Sequence, residues 1–371
     1  MTDYLRYYAG PACVAIGVAG FGIGGAWMWA GFATYFALAV VDIALPRDEA
    51  VRSIRLGWLA DLALYVHTAL MIALYAMFVW RAVADGGAEA WSALEILGAM
   101  ASLAWLSAVP NLPAQHELLH RRDSFSLACA FVCGALYGDP LRGLPHIHGH
   151  HIHLGTPDDA DTARRGETMY TFPIRATWAS YRDSWRLEAE RLARLGRSVL
   201  GPGNRCVRAI VLEILMFLAV GLYAGWPTML VMLAAVAASK LLLEAFNYYQ
   251  HYGLVRVPGT PYQRHHLWNH LQSGIRAVAF EITNHSDHHM DSYKPFYRLK
   301  PDLNGPQMPS VFICFMVGMI PFLWFRHIAM PRLRDWDQRF ANAEERELAR
   351  AANARAGWPD WFEPVAGPEP E

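Results

Sequence analysis

"LGWLADLALYVHTALMIALYAMFVW", residues 56–80, decides what kind of protein this is. A bilayer core of about 30 Å takes about 20 apolar residues in a helix, and this run is long enough to cross it. Composition agrees: hydrophobic residues make up 54% of the 371-residue chain and charged ones 18%. That balance moves the expectation from two soluble domains to a membrane protein. Working outward, residues 7–41 carry no charge and suffice for two helices if the chain bends near Gly24, Gly25 and Gly31. Residues 91–112 are a further candidate, and residues 208–249 hold a pair divided at Gly225, Trp226 and Pro227. Residues 125–138 are too short, and residues 309–325 contain Pro309 and Pro321, so both read as re-entrant or interfacial. The expected fold class is an all-α integral membrane protein with about six transmembrane helices.

Lysine and arginine in the connections set the orientation. Arg47, Arg52 and Arg55 lie between the second and third spans, whereas residues 82–90 hold no basic residue. Thirteen arginines fall within residues 121–208, and Arg326, Arg332, Arg334 and Arg339 follow the last apolar stretch. Six spans then place both termini and every histidine-rich stretch on the cytoplasmic side, which gives a multi-pass protein of the inner membrane. Arg6 is the only basic residue ahead of the first apolar run, which is far too long for a cleaved signal peptide, so the N-terminus is expected to remain as an anchor. With 33 acidic and 32 basic residues the formal net charge is −1, and no nucleic-acid partner is implied. Cys13, Cys129, Cys133, Cys206 and Cys314 form no CxxC pair, and no disulfides are expected. Residues 1–350 are expected to form one domain, and residues 351–371, which end in "AGPEPE", a partly disordered tail.

A chain this apolar carries 16 histidines, and most of them cluster. "HELLH" places His116 and His120 at i and i+4, on one face of a helix. Alone it also matches the zinc-protease pattern, with Glu117 as base. "HIHGHHIHL" contributes His146, His150 and His151, and "NHSDHH" contributes His285, His288 and His289. Each block can turn two or three ring nitrogens to one site. His251 in "NYYQHYGL" follows directly on the last span. These nine candidates exceed the four ligands of one zinc, so two metal ions are expected. Imidazole alone suits zinc, copper, iron or nickel. An intramembrane protease would leave most of the clustered histidines idle, and a metal transporter would spread them through the bilayer instead of gathering them at one end. His67 and His327 read as core or interfacial residues, while His148, His153, His265, His266 and His270 read as orienting or structural groups. Glu117, Asp158, Glu281 and Asp287 are candidates to hydrogen-bond the far nitrogens of the ligands.

The series HELLH, HxxxHH, NYxxHYGL and HxxHH resembles the membrane-bound non-haem di-iron family of alkane hydroxylases and fatty-acid desaturases. "AWLSAVPNLPAQHELLHRR", "YGDP", "FNYYQHYGLVR", "EITNHSDHH", "PQMPSVFICF" and "LRDWDQRF" extend the likeness, nearly end to end, to the hydroxylase subunits of xylene and related alkylbenzene methyl monooxygenases. The alkane branch usually has glutamates where this chain has Pro145 and Gln250; Gln250 fits the aromatic branch and joins the candidates around the metals.

The resemblance implies a cytoplasmic cap holding two iron ions on those nine histidines. It implies O2 as co-substrate, with NADH electrons arriving through a separate flavin and iron-sulfur reductase, or rubredoxin in the alkane branch. The implied reaction is hydroxylation of a methyl group on a hydrophobic hydrocarbon drawn from the bilayer, most simply an alkylbenzene of the toluene, xylene or cymene type. Terminal n-alkane hydroxylation is the alternative, and fatty-acid desaturation the third.

Overall fold

The structure, a computed structural model, describes residues 2–362, and their regular structure is helical, with two isolated bridges, Arg47 to Gln272 and Asn269 to Gln307. The chain opens with Thr2–Leu5 and a 3-10 turn, then α1 (Ala9–Ile23), a turn over Gly25–Trp29, and α2 (Ala30–Ala44). Gly24 makes the reversal with φ of 81°, a left-handed conformation that favours glycine, and the Arg81 side chain packs over it. Gly31, expected as part of the bend, instead lies inside α2. A Cβ at Gly31 would stand 2.8 Å from Leu106 Cδ1, so it serves close helix packing.

Next come α3 (Gly57–Ala84), α4 (Ala93–Ala108), α5 (Asn111–Leu119), α6 (Ser124–Ala135), α7 (Phe172–Arg194), α8 (Arg205–Ala224) and α9 (Trp226–Gln250). A capping box fixes the start of α4, with Ser92 and Glu95 exchanging side-chain to backbone bonds. Among the described residues, five helices are long and apolar enough to cross a membrane: Gly25–Ala44, Gly57–Ala84, Ala93–Leu119, Arg205–Ala224 and Trp226–Gln250. The remaining member of the expected six, α1, has 15 residues, about 22 Å of helix. The span expected at residues 91–112 continues as Ala93–Leu119 and so carries His116 in its last turn.

Ile210, Val211, Leu212, Ile214, Leu215 and Leu222 of α8 are all exposed, an apolar face that suits lipid and not water. The chain is a membrane protein. Between the helices, Met71, Leu103, Trp105, Leu243, Phe246 and Phe312 belong to one buried apolar cluster. Within it α9 keeps a buried ion network. Lys240 Nζ lies 2.7 Å from both Asp139 and Glu244, and Arg142 donates to Glu244 at 2.7 Å.

The rest of the chain forms short helices: α10 (Ser273–Val278), α11 (His285–Met290), α12 (Val311–Gly318), α13 (Met330–Arg339) and α14 (Ala343–Ala356). α14 crosses the boundary expected at residue 350. Arg165 fastens α13 and α14 through Asp337 (2.6 Å) and Asn353 (2.8 Å), and Trp361 Nε1 donates to Asp337 at 2.8 Å. The expectation of a disordered tail otherwise falls on residues 363–371, outside those described. The five cysteines are buried and free.

Candidate metal centre

Four pieces of chain bring the histidines together. α5 carries His116 and, at its end, His120, with ring centres 4.9 Å apart. Residues 143–153 are helical with a π turn over His146–His150, closed by a bond from His151 N to His146 O. The wider turn is a common device at functional sites, and here it sends adjacent histidines to different sides. His251 follows α9, and α11 supplies His285, His288 and His289 at i, i+3 and i+4. The turn before α11 puts Phe280 and Glu281 at φ of 47° and 58°, a left-handed conformation costing about 1–2 kcal/mol per residue. Glu281 is held there by Arg276 at 2.6 Å and Arg52 at 2.9 Å, and the Phe280 ring is buried against Phe296.

All nine expected ligands converge, in two groups. His116, His120, His146, His151 and His288 place ligand atoms within 4.8 Å of one another, as do His150, His251 and His289. His285 joins the second group, with its Nε2 2.9 Å from His289 Nε2 and its ring centre 4.6 Å from that of His251. In the first, His146 Nε2 is 2.8 Å from His116 Nε2 and 3.1 Å from His151 Nε2. Two nitrogens bonded at about 2.1 Å and at right angles to one ion stand about 3 Å apart, so these separations fit a shared metal. Hydrogen bonding does not satisfy the cluster: His116, His146, His251, His285 and His289 each keep a buried Nδ1 without a partner, and His120 and His288 a buried Nε2. Burial and neighbouring imidazoles hold His146, His285, His288 and His289 well below the ordinary histidine range, which leaves neutral rings with lone pairs to give.

The orienting groups differ from expectation. Asp158 is exposed, while its neighbour Asp159 is buried and lies 3.0 Å from His150 Nδ1. Asp159 also accepts from Thr162 Oγ1 at 2.6 Å and from Asp161 N at 3.0 Å. Burial opposes charge on both partners, but their attraction outweighs it, raising the His150 pKa and lowering that of Asp159. Glu117 turns to Arg121 at 2.7 Å. Asp287 accepts from Arg264 at 2.9 Å, Lys294 at 2.8 Å and Lys300 N at 3.0 Å. Glu281 is spent on the arginines named above. These acids anchor the segments that carry histidines and do not bond the rings. The Gln250 side chain lines a cavity and forms no hydrogen bond among the described residues.

The other histidines separate cleanly. His148, His153 and His327 are exposed, and His67 is buried in α3. His270 donates from Nδ1 to Pro309 O at 2.7 Å. His265 and His266 meet Glu345 in a third cluster of metal-binding type. There His266 Nδ1 accepts from Gln263 N at 2.9 Å, so its proton sits on Nε2 and is donated to Glu345 at 2.6 Å. No lone pair remains on that ring for a metal, and the cluster acts as a clip between the loop and α14.

A cavity of about 60 Å³ ends on the histidines. Val109, Leu112, Leu243, Phe246, Ile275 and Ile282 form its apolar wall, and His116, His146, His150, His251 and His285 its polar end. Such a site can bring an uncharged, oil-soluble molecule against two metal-binding groups.

A family model described as fatty acid desaturase matches residues 90–310. The chain is 46% identical over 366 residues to the xylene/toluene monooxygenase hydroxylase component XylM of Pseudomonas putida, covering 98% of each. It is 32% identical over 262 residues to alkane 1-monooxygenase 1 of Pseudomonas aeruginosa, covering 69% of this chain and 68% of that one. With the alkane 1-monooxygenase of Ectopseudomonas oleovorans it shares 33% identity over 259 residues, 67% of this chain and 63% of the relative.

Proposed function

The chain belongs to the fatty acid desaturase family, and on that footing we propose that it is a membrane-bound di-iron monooxygenase that hydroxylates the methyl group of alkylbenzenes. One iron is assigned to His116, His120, His146, His151 and His288, the other to His150, His251, His285 and His289. Two reduced irons held there would supply the O2 activation that an unreactive methyl C–H bond demands. The reaction balances as hydrocarbon, O2, NADH and a proton giving alcohol, water and NAD+. A separate flavin and iron-sulfur reductase supplies the electrons, with rubredoxin as the alternative donor. Residues 1–350 are taken as the catalytic domain, in the inner membrane with the histidines and both termini facing the cytoplasm, which is where the arginine-rich connections would lie.

The largely apolar cavity that ends on both histidine groups carries this reading. Its largely apolar walls suit an uncharged substrate, the Arg142 guanidinium among them being paired with Glu244, and they leave the substrate's own methyl as the group presented to the metals. At about 60 Å³ it is smaller than the roughly 150 Å³ that accepts benzene in an engineered protein cavity, so side chains such as Leu112 and Phe246 must turn aside for a ring to enter. The alkane 1-monooxygenase relatives support a second reading, terminal hydroxylation of n-alkanes; desaturation ranks third.

The deciding experiment supplies p-xylene and n-octane together, under 18O2, to cells expressing the chain with a compatible reductase. Labelled 4-methylbenzyl alcohol is expected. Labelled 1-octanol alone would move the protein to the alkane reading, and no labelled alcohol from iron-loaded protein would overturn both. Metal analysis should find two irons per chain; one zinc would overturn the di-iron assignment.

A further inference from the structure

The hydrocarbon cavity contains a group that no hydrocarbon can use. Thr283 lines it, two residues before His285, and is 1% exposed. Its backbone carbonyl accepts from His270 N at 3.2 Å, but Oγ1 is buried without any hydrogen-bond partner. A hydroxyl left this way is costly, and valine would fill the same volume without the penalty. Gln250 lines the same cavity next to the ligand His251, and its amide forms no hydrogen bond among the described residues. Asn247, one turn earlier on α9, also faces the cavity but is already committed to Glu244 at 3.1 Å. Two uncommitted polar side chains thus flank ligand histidines in a wall whose other polar members, Arg142 and Asn247, are already paired with Glu244.

We propose that Thr283 and Gln250 form a hydrogen-bonding subsite for the hydroxyl group of the alcohol, beside the metal-binding histidines. The inference rests on the hydroxylase reading above. The incoming hydrocarbon has no donor or acceptor and leaves both groups unpaired. The oxygen inserted into the methyl group supplies what they lack: Thr283 Oγ1 can donate to it or accept from it, and the Gln250 amide can do either. The site therefore binds alcohol in preference to the hydrocarbon from which it is made, and orients the carbinol end towards the histidines.

The test compares equilibrium binding of p-xylene and 4-methylbenzyl alcohol to the iron-loaded, full-length protein in lipid nanodiscs, corrected for partition into empty discs. Thr283→Val should weaken alcohol binding about five-fold, the worth of one ordinary hydrogen bond, and leave p-xylene binding unchanged. Thr283→Ser, which keeps the hydroxyl, should restore the preference, and Gln250→Leu should lower it independently. Each variant is first matched to the parent in iron content. An alcohol-to-xylene ratio unchanged by Thr283→Val and Gln250→Leu overturns the subsite alone, as does Thr283→Ser behaving like the valine variant, since Oγ1 would then serve only packing or a trapped water. Absence of saturable binding of either compound to the parent protein overturns the subsite together with the substrate reading.

Discussion

The two histidine groups are alike in composition and different in support. In the group around His146, the far nitrogens of His116 and His146 have no partner, and the rings are placed by packing and by the spacing of α5 and α11. In the group around His251, one ring is gripped from behind: Asp159 holds His150 Nδ1 at 3.0 Å and is itself held by Thr162. A carboxylate on the far nitrogen fixes the tautomer and makes the ligand more basic. On the proposed di-iron reading, the second group would hold its metal more tightly and the first would leave its metal the more exchangeable.

The strongest way to break this asymmetry is His146→Ala, which deletes the nitrogen lying 2.8 and 3.1 Å from two others. Activity should fall by more than about 100-fold, beyond the 10–100-fold typical of an orienting partner. Metal analysis should find the His150 group still loaded; loss of both metals would show that the groups are not separable. Glu244→Ala strips Arg142 and Lys240 of a buried carboxylate, and losing one partner of a buried pair costs about 3–5 kcal/mol. Because Arg142 lies one turn before His146 and Glu244 two turns before His251, both groups should loosen together, with a lower melting temperature and lower occupancy of both metals. Asp159→Asn should cost about 10–100-fold in metal affinity at the His150 group alone, while Asp158→Asn changes nothing measurable in a chelator titration. Equal losses at both groups would refute the asymmetry.

The smallest effect belongs to Glu345. Burial opposes its charge, but His265 and His266 outweigh that and hold the carboxyl below its ordinary value of 4.5. A depressed carboxylate stabilises the fold fully above the ordinary range, and that contribution is lost as pH falls through the depressed value. Burial also holds His266 below the ordinary histidine value, so proteolysis near α14 should begin to speed up as pH falls below about 6.5 and do so further as Glu345 is protonated at still lower pH. Glu345→Gln should flatten that dependence without altering metal content, which would separate the clip from the metal centre.

The convergence of the nine candidate histidines was legible because each block repeats at helical spacing and each follows or forms a helix, where i, i+3 and i+4 leave little freedom. Asp159 was not legible. Residues 154–162 run through turns without a period, so nothing in "PDD" indicates which aspartate points inward. Glu117 and Asp287 lie next to candidate ligands in sequence and Glu281 four residues before one, yet ion pairs with Arg121, with Arg264 and Lys294, and with Arg276 and Arg52 claim them first. The clip joins His266 to a glutamate 79 residues away, a separation at which local pattern says nothing. Span positions were readable from apolar length, but the run from α4 into α5 exceeded its expected end because polar residues on α5 are buried by neighbours and not by lipid.

His150 and His151 are neighbours in the chain but belong to different groups. A single peptide unit therefore bridges the two coordination spheres, and the π turn fixes its direction. Whichever ion arrives first must immobilise that unit, and the second then meets a ligand whose ordering entropy has already been lost. On the di-iron reading, filling the tighter His150 group should therefore ease filling of the other, a modest positive coupling that a metal titration would read as a second step stronger than in a variant whose peptide unit is already ordered.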